Sequence, residues 1–265
     1  MPSKPVLLSL DEYQKINHPV PYTYIVSNGA QHLYYFGARH SDNPENHQFK
    51  TLEKFWEEFL KSSKKEKIVL VEGGLPSREA LVSKEKEDVI KQGGEASFIA
   101  WLAYKKGINV SSPELPENKW FEEMSKFFPK EIIAYYDFAR ICYQWHRKQN
   151  KSAFDEYVSP FLSMNAKNSR WEDFNFSLEH MMLIHEKLFK IPFDKNNAEF
   201  FKSIIDTTKN ISPINEISRF EDSGLRDSFI VSQIETHWRD GKDIFIVYGA
   251  PHAVIQEEYL KSSLG

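Results

Sequence analysis

The sequence predicts an α/β protein, a mostly parallel β-sheet flanked by helices and carrying an all-helical insertion. Three observations predict it. Short, wholly apolar runs at Ile68–Val71 and Ile244–Tyr248 have the pattern of strands buried on both faces of a parallel sheet. Segments with helical spacing of apolar residues alternate with such runs at both ends of the chain. From Leu115 to about Asp222 strand signals vanish and helical stretches follow one another. The last strand is too isolated to stand without the earlier ones, so about 1–114 and 223–265 read as one α/β domain and 115–222 as its insertion.

The elements follow in order. Tyr22–Val26 and His32–Phe36 are aromatic and β-branched runs around Asn28-Gly29, the signature of a β-hairpin. Thr51–Ser62 places Leu52, Phe55, Trp56, Phe59 and Leu60 on one helical face. After the Ile68–Val71 strand, a polar segment with Ser77, Glu79 and Lys84–Asp88 reads as helical. Glu95–Lys106 is an apolar helix that stops at Gly107, and Ile108–Val110 is a brief strand. In the insertion, helices are expected over Lys130–Gln149, Ser152–Ser163, Arg170–Phe189 and Ala198–Asn210, punctuated by Pro129, Pro192 and Pro213. Leu225–Arg239 is helical, Ile244–Tyr248 is the last strand, and Ala253–Lys261 closes the chain as a helix.

Composition removes several function classes. Lys plus Arg number 34 against 38 Asp plus Glu, a formal charge of −4, which argues against a general nucleic-acid surface. No apolar run approaches the ~20 residues that span a bilayer. Met1–Val20 carries charges and no apolar signal-peptide core, so a cytoplasmic, soluble protein is expected. One cysteine beside nine histidines excludes a disulfide framework and any Cys-based metal cluster. Histidine is left as the carrier of chemistry.

Two strands end alike: Leu33–Phe36 runs into Gly37-Ala38-Arg39-His40, and Ile244–Tyr248 into Gly249-Ala250-Pro251-His252. In each, glycine is expected to turn the chain off the sheet and a histidine to project from the loop over the strand ends, where α/β proteins bind ligands. Ile68–Val71 ends in Glu72-Gly73-Gly74, Ile108–Val110 ends near Glu114, and Glu95 opens a helix after Gly93-Gly94. A carboxylate beside a buried strand is costly unless paired, protonated or bound to a cation. Two histidines with one or two carboxylates suit Zn²⁺, Mn²⁺, Co²⁺ or Fe²⁺. Arg226 would supply a cation for a carbonyl or oxyanion, with Arg39 a second candidate.

These residues resemble the TraB/PrgY, GumN and Tiki group, within a wider set that includes ChaN-like and erythromycin esterase-like folds. Leu225–Ser228 through His252 is the closest stretch, and Gly37–Glu72 the next; the helical stretch takes no part. The resemblance implies an erythromycin esterase/ChaN-like fold with His40 and His252 as motif histidines, Glu72 as motif glutamate and Arg226 as motif arginine. It implies a metal-dependent hydrolase of peptide or ester bonds, or a metal-independent esterase-like enzyme, or a haem-binding protein of the ChaN type. The expected arrangement is a divalent ion on His40, Glu72 and His252, with Glu72, Glu95 and Arg226 catalytic and Arg39, Glu114 and Asp227 contacting substrate. That substrate would be a small molecule or peptide, with neither nucleic acid nor membrane as partner. Arg39, Pro251 and the absence of a leader and anchor depart from the Tiki pattern.

Other motifs are missing. There is no Gly-x-Ser-x-Gly elbow, Gly-x-Gly-x-x-Gly loop, phosphate-loop lysine or His-Glu-x-x-His pair, and Gly73-Gly74 and Gly93-Gly94 alone are weak signals. His180 and His185, five residues apart, point away from a common helix face. These two and His18, His32, His47, His146 and His237 read as structural or solvent-facing. Cys142, on an aromatic-rich helix, reads as a buried hydrophobe. The insertion's aromatic residues read as helix-to-helix core, or alternatively as the lining of a pocket over the site.

Overall fold

The computed structural model describes residues 6–75, 77–148 and 152–265. In chain order the elements are α1 (Leu10–Tyr13), β1 (Tyr22–Ser27), β2 (His32–Ala38), α2 (Gln48–Ser62), β3 (Lys67–Val71), α3 (Arg78–Val82), α4 (Lys86–Lys105) and β4 (Asn109–Ser111). Then come α5 (Glu117–Met124), α6 (Lys130–Arg147), α7 (Phe154–Ser169), α8 (Leu178–Phe189), α9 (Ala198–Ile205), α10 (Pro213–Arg219) and a π-helical segment, Phe220–Arg226. The chain ends with α11 (Asp227–Arg239), β5 (Asp243–Gly249) and α12 (Ala250–Leu264). It divides into two compact units, 1–114 with 226–265, and 115–225.

The first unit is α/β with one five-stranded sheet in the order β1-β2-β5-β3-β4. β1 pairs antiparallel with β2; β2, β5, β3 and β4 are mutually parallel. The apolar runs follow from burial on both faces. Phe36, Val69, Phe245 and Val247 pack under α2 and α4 with Leu52 and Phe98, while Tyr35, Leu70, Ile246 and Tyr248 pack under α11 and α12 with Ile230 and Leu260. Only β1, at the edge, shows the alternation of a half-exposed strand. Its hairpin turn is held by the Asn28 side chain, which accepts from the backbone N–H of Ala30 and Gln31. Among the described residues no helix is long and apolar enough to cross a membrane.

Several expected boundaries move. The helix expected from Glu95 is present, and a further helical segment begins at Lys86; the two, taken together as α4, meet at Gly93 and Gly94, whose backbone is not helical. Gly94 has φ +55°, and a Cβ there would lie 2.9 Å from the Ser41 carbonyl oxygen. The glycine pair thus lets a helix break against the loop carrying His40, not cradle a phosphate. The last helix starts at Ala250, so Pro251 and His252 occupy its first turn, where proline costs no hydrogen bond. In the helical stretch, 170–177 is not helical and α8 begins after Ser177, whose side chain caps it. Gln149, the expected end of the helix from Lys130, lies outside the described residues.

The second unit packs α7, α8, α9 and α10 around α6, whose Tyr135, Phe138 and Cys142 are fully buried. Burial pushes the Cys142 thiol well above its ordinary range, in keeping with a packing role. His185 is buried too, with Nδ1 2.6 Å from the Tyr135 hydroxyl.

At the amino end of the sheet, Asp243 is wholly buried and bound by Lys67 Nζ at 2.8 Å, the His32 N–H and the Ser63 hydroxyl. Burial alone would raise its pKa, but Lys67, Ser63 and the His32 N–H outweigh it and hold the carboxyl below its ordinary range. A depressed folded-state pKa means stability that is present above the unfolded carboxyl's pKa and lost as pH falls through the folded one. Asp243→Asn is expected to cost about 1.5–3 kcal/mol at neutral pH. The difference from wild type should shrink on acidification, as read by urea unfolding at stepped pH.

Candidate functional site

Strand order builds the site. β5, the last strand in sequence, lies between β2 and β3, and the register pairs Ala38 with Gly249 and Val71 with Val247. His40, Glu72 and His252 therefore start from one sheet edge on three neighbouring strands. Glu114 follows β4 on the far side of β3, and Arg226 immediately precedes α11.

Arg226 is the centre. Its Nε and Nη2 grip the two Glu114 oxygens at 2.9 and 2.7 Å, Nη2 also reaches Glu72 Oε1 at 2.9 Å, and Nη1 lies 3.0 Å from His252 Nε2. The planar fork suits this divergent set of acceptors. Glu72 Oε2 accepts the Gly249 N–H at 2.8 Å, and Glu114 Oε1 accepts the Tyr248 hydroxyl at 3.1 Å. Burial would lift the Glu72 carboxyl, but Arg226, His252 and the Gly249 N–H together hold it below the usual carboxylate range. Glu114 behaves alike, burial being overcome chiefly by Arg226. In turn, Arg226 is held firmly charged, since its two carboxylates more than offset its desolvation.

Behind this layer His252 is buried, and its Nδ1 donates to Asp227 Oδ1 at 2.8 Å. The same oxygen accepts from Gln256, whose carbonyl accepts the Tyr35 hydroxyl at 3.0 Å. With the Nδ1–H donated to Asp227, the Nε2 lone pair faces Arg226. Asp227 was expected to contact substrate; it is instead fully buried behind His252. The reason is helical geometry: consecutive residues point about 100° apart, so Arg226 and Asp227 cannot face the same way.

In front, the His40 side chain is 68% exposed, with Nδ1 3.6 Å from Glu95 Oε2 and Nε2 3.5 Å from Glu72 Oε2. Glu95 is buried, and its Oε1 accepts the Ser41 N–H and the Gln48 side chain, each at 2.8 Å. Pairing with Glu95, helped by Glu72, outweighs desolvation and raises the His40 pKa above an ordinary histidine's. Arg39 stays apart: its side chain is exposed on a cleft of about 340 Å³ with Asn43 and His47, away from the Arg226 cluster.

The two Gly-Ala-x-His motifs differ in a way their spelling hides. His40 sits in a loop, whereas His252 sits in a helix. Neither Gly37 nor Gly249 has a positive φ. Both serve close approach: a Cβ on Gly37 would lie 2.8 Å from Ala253 Cβ, and one on Gly249 would lie 3.2 Å from His40 Nε2.

A divalent ion on His40, Glu72 and His252 would need three lone pairs about 2 Å from one point. Arg226 engages His252 Nε2 and Glu72 Oε1, and the Gly249 N–H engages Glu72 Oε2. The expected metal set therefore does not fit; among the described residues no group of three or more His, Cys, Asp or Glu forms a metal site. A fixed guanidinium stands where the sequence reading puts a divalent cation. Those contacts also deny His252 Nε2 to a haem iron. Tyr248, Gln48 and Gln256 escaped the sequence reading; Tyr248 directly precedes Gly249, and Gln256 lies one helical turn past His252 on the same face.

No protein-family model, no curated protein and no solved structure matches this chain.

Proposed function

We propose that this protein is a metal-independent hydrolase of ester or amide bonds, with His40 as general base. The observation that carries the reading is the pairing of an exposed imidazole with a buried carboxylate. Glu95, held on one oxygen by two N–H donors, presents the other to His40 Nδ1. In the reacting tautomer the proton lies on Nδ1, towards Glu95, and Nε2 takes one from water. Glu72, beside Nε2, favours the imidazolium that forms. Contacts to Glu114, Glu72 and His252 use four of the five N–H groups on Arg226, and the fifth is available to a developing oxyanion. Asp227 and His252 act as positioning residues that hold Arg226 from behind.

This reading keeps the likeness to erythromycin esterase-type proteins and leaves aside the metal-dependent protease. The substrate class remains a small molecule or peptide carrying an ester or amide. The test is a panel of activated esters and amides, assayed before and after exhaustive chelation. Turnover that survives chelation is expected. Turnover abolished by the chelator and restored by Zn²⁺, Mn²⁺ or Co²⁺ would overturn the reading, as would a wholly inert panel.

A further inference from the structure

The His40 side chain is exposed, yet the backbone on both sides of it is held by buried groups. Gln48, the first residue of α2, binds both main-chain groups of Arg39: its Oε1 accepts the Arg39 N–H at 3.1 Å, and its Nε2 donates to the Arg39 carbonyl at 2.6 Å. This is the two-point pairing that a neighbouring strand gives, supplied by a side chain just past the end of β2. Nε2 also donates to Glu95 Oε1 at 2.8 Å, the same oxygen that accepts the Ser41 N–H. Arg39 and Ser41 flank His40, so its peptide is fixed before and after the imidazole.

Burial separates this arrangement from ordinary loop packing. Gln48 is 1% exposed and Glu95 3%, and a buried amide or carboxylate is tolerated only when its polar atoms are bonded. Both Nε2 hydrogens and Oε1 of Gln48 are in use, a set that needs two donors and an acceptor on one side chain. Satisfying the end of the strand takes only the two bonds to Arg39. The third ties that strand end to Glu95, 47 residues away, and leaves Glu95 Oε2 turned to His40 Nδ1 at 3.6 Å.

We infer that Gln48 is a positioning residue for His40, one amide setting both the backbone before the imidazole and the carboxylate behind it. Its catalytic meaning rests on the hydrolase reading, in which Gln48 keeps the general base and Glu95 in register. Glu95 from α4 and Glu72 after β3 face His40, with Arg226 on the other Glu72 oxygen. Gln48 is neutral, so replacing it removes no charge near the imidazole. Gln48→Met keeps the length of the side chain and removes all three hydrogen bonds. The His40 titration, followed by NMR of the imidazole C–H resonances and identified by their loss in His40→Ala, should move down by at least about 0.5 in pH as Glu95 leaves Nδ1. With an ester that the wild-type chain turns over, kcat should fall about tenfold or more and KM change less than about twofold. Ile99→Val thins the buried core one turn past Glu95 and touches none of these bonds, so it should leave the midpoint in place. An unmoved midpoint in folded Gln48→Met, an equal movement in Ile99→Val, or an undiminished kcat would each overturn the inference. A moved midpoint in a chain whose wild type hydrolyses no ester or amide would sustain the positioning and overturn the hydrolase reading alone. Should Gln48→Met fail to fold, Gln48→Asn, one methylene too short to span Arg39 and Glu95, is read in the same way.

Discussion

Arg226→Met is expected to destabilise the fold by about 3–5 kcal/mol at neutral pH, towards the lower figure because solvent reaches the cluster. Methionine keeps the apolar stem and removes the guanidinium. Glu72 and Glu114, with side chains 20% and 25% exposed, then lose the cation they share. His252 Nε2 loses its donor at the same time. Lysine should rescue only part of the loss, because one ammonium cannot reproduce the fork onto Glu114 together with the contact to Glu72. The pH dependence gives a second readout. Both carboxyls have depressed folded-state pKa values, so the stability they contribute is present above their unfolded values and lost as pH falls through the folded ones. The gap between wild type and Arg226→Met should therefore be widest near neutrality and narrow on acidification. Urea unfolding at stepped pH measures it, and a gap below about 1 kcal/mol at pH 7 would mean the cluster behaves as an exposed ion pair.

What could be read from the chain divides along physical lines. The strands were legible because burial on both faces demands uninterrupted apolar runs, as at Ile68–Val71 and Ile244–Tyr248. The hairpin was legible because its turn chemistry is local. Hidden features depended on contacts distant in sequence. The insertion of β5 between β2 and β3 is a sheet-wide choice that no local spacing encodes, and it is what gathers His40, Glu72 and His252. The break at Gly93 and Gly94 was legible, because two glycines ordinarily end a helix; that the His40 loop packs against it was not.

The site shows the same division. His40, Glu72, Glu114 and His252 were recognisable as titratable groups at strand ends, and Arg226 as a cation at the start of the helix before the last strand. Their partnership was not. A sequence marks a cluster of carboxylates and histidines as needing a cation, but it does not say whether a metal or an arginine supplies it. Arg226 is delivered by a π-helical segment, Phe220–Arg226, a backbone form with no reliable sequence signal that recurs at functional sites. Gln48 was invisible for a related reason: its amide bridges the Arg39 carbonyl and Glu95, 47 residues away from it.

His40→Ala separates chemistry from folding, and there the largest effect on rate is expected. The side chain is mostly exposed and carries no buried packing, so its removal should change stability by no more than about 0.5 kcal/mol. On the hydrolase reading, turnover should fall by roughly 10²–10⁴-fold, the usual contribution of a general base. Glu95→Gln then tests how the base is tuned. The buried carboxylate raises the His40 pKa, so its neutralisation should lower that pKa. A base works in its neutral form, and activity rises with pH through its pKa; the ascending limb of the pH–rate profile should accordingly move to lower pH in Glu95→Gln. The Ser41 N–H can still meet the amide's oxygen, so the backbone loop is retained while the charge is lost. A merely structural Glu95 would lower activity without moving that limb. An unmoved limb, or a His40→Ala protein as active as wild type, would require a base other than His40.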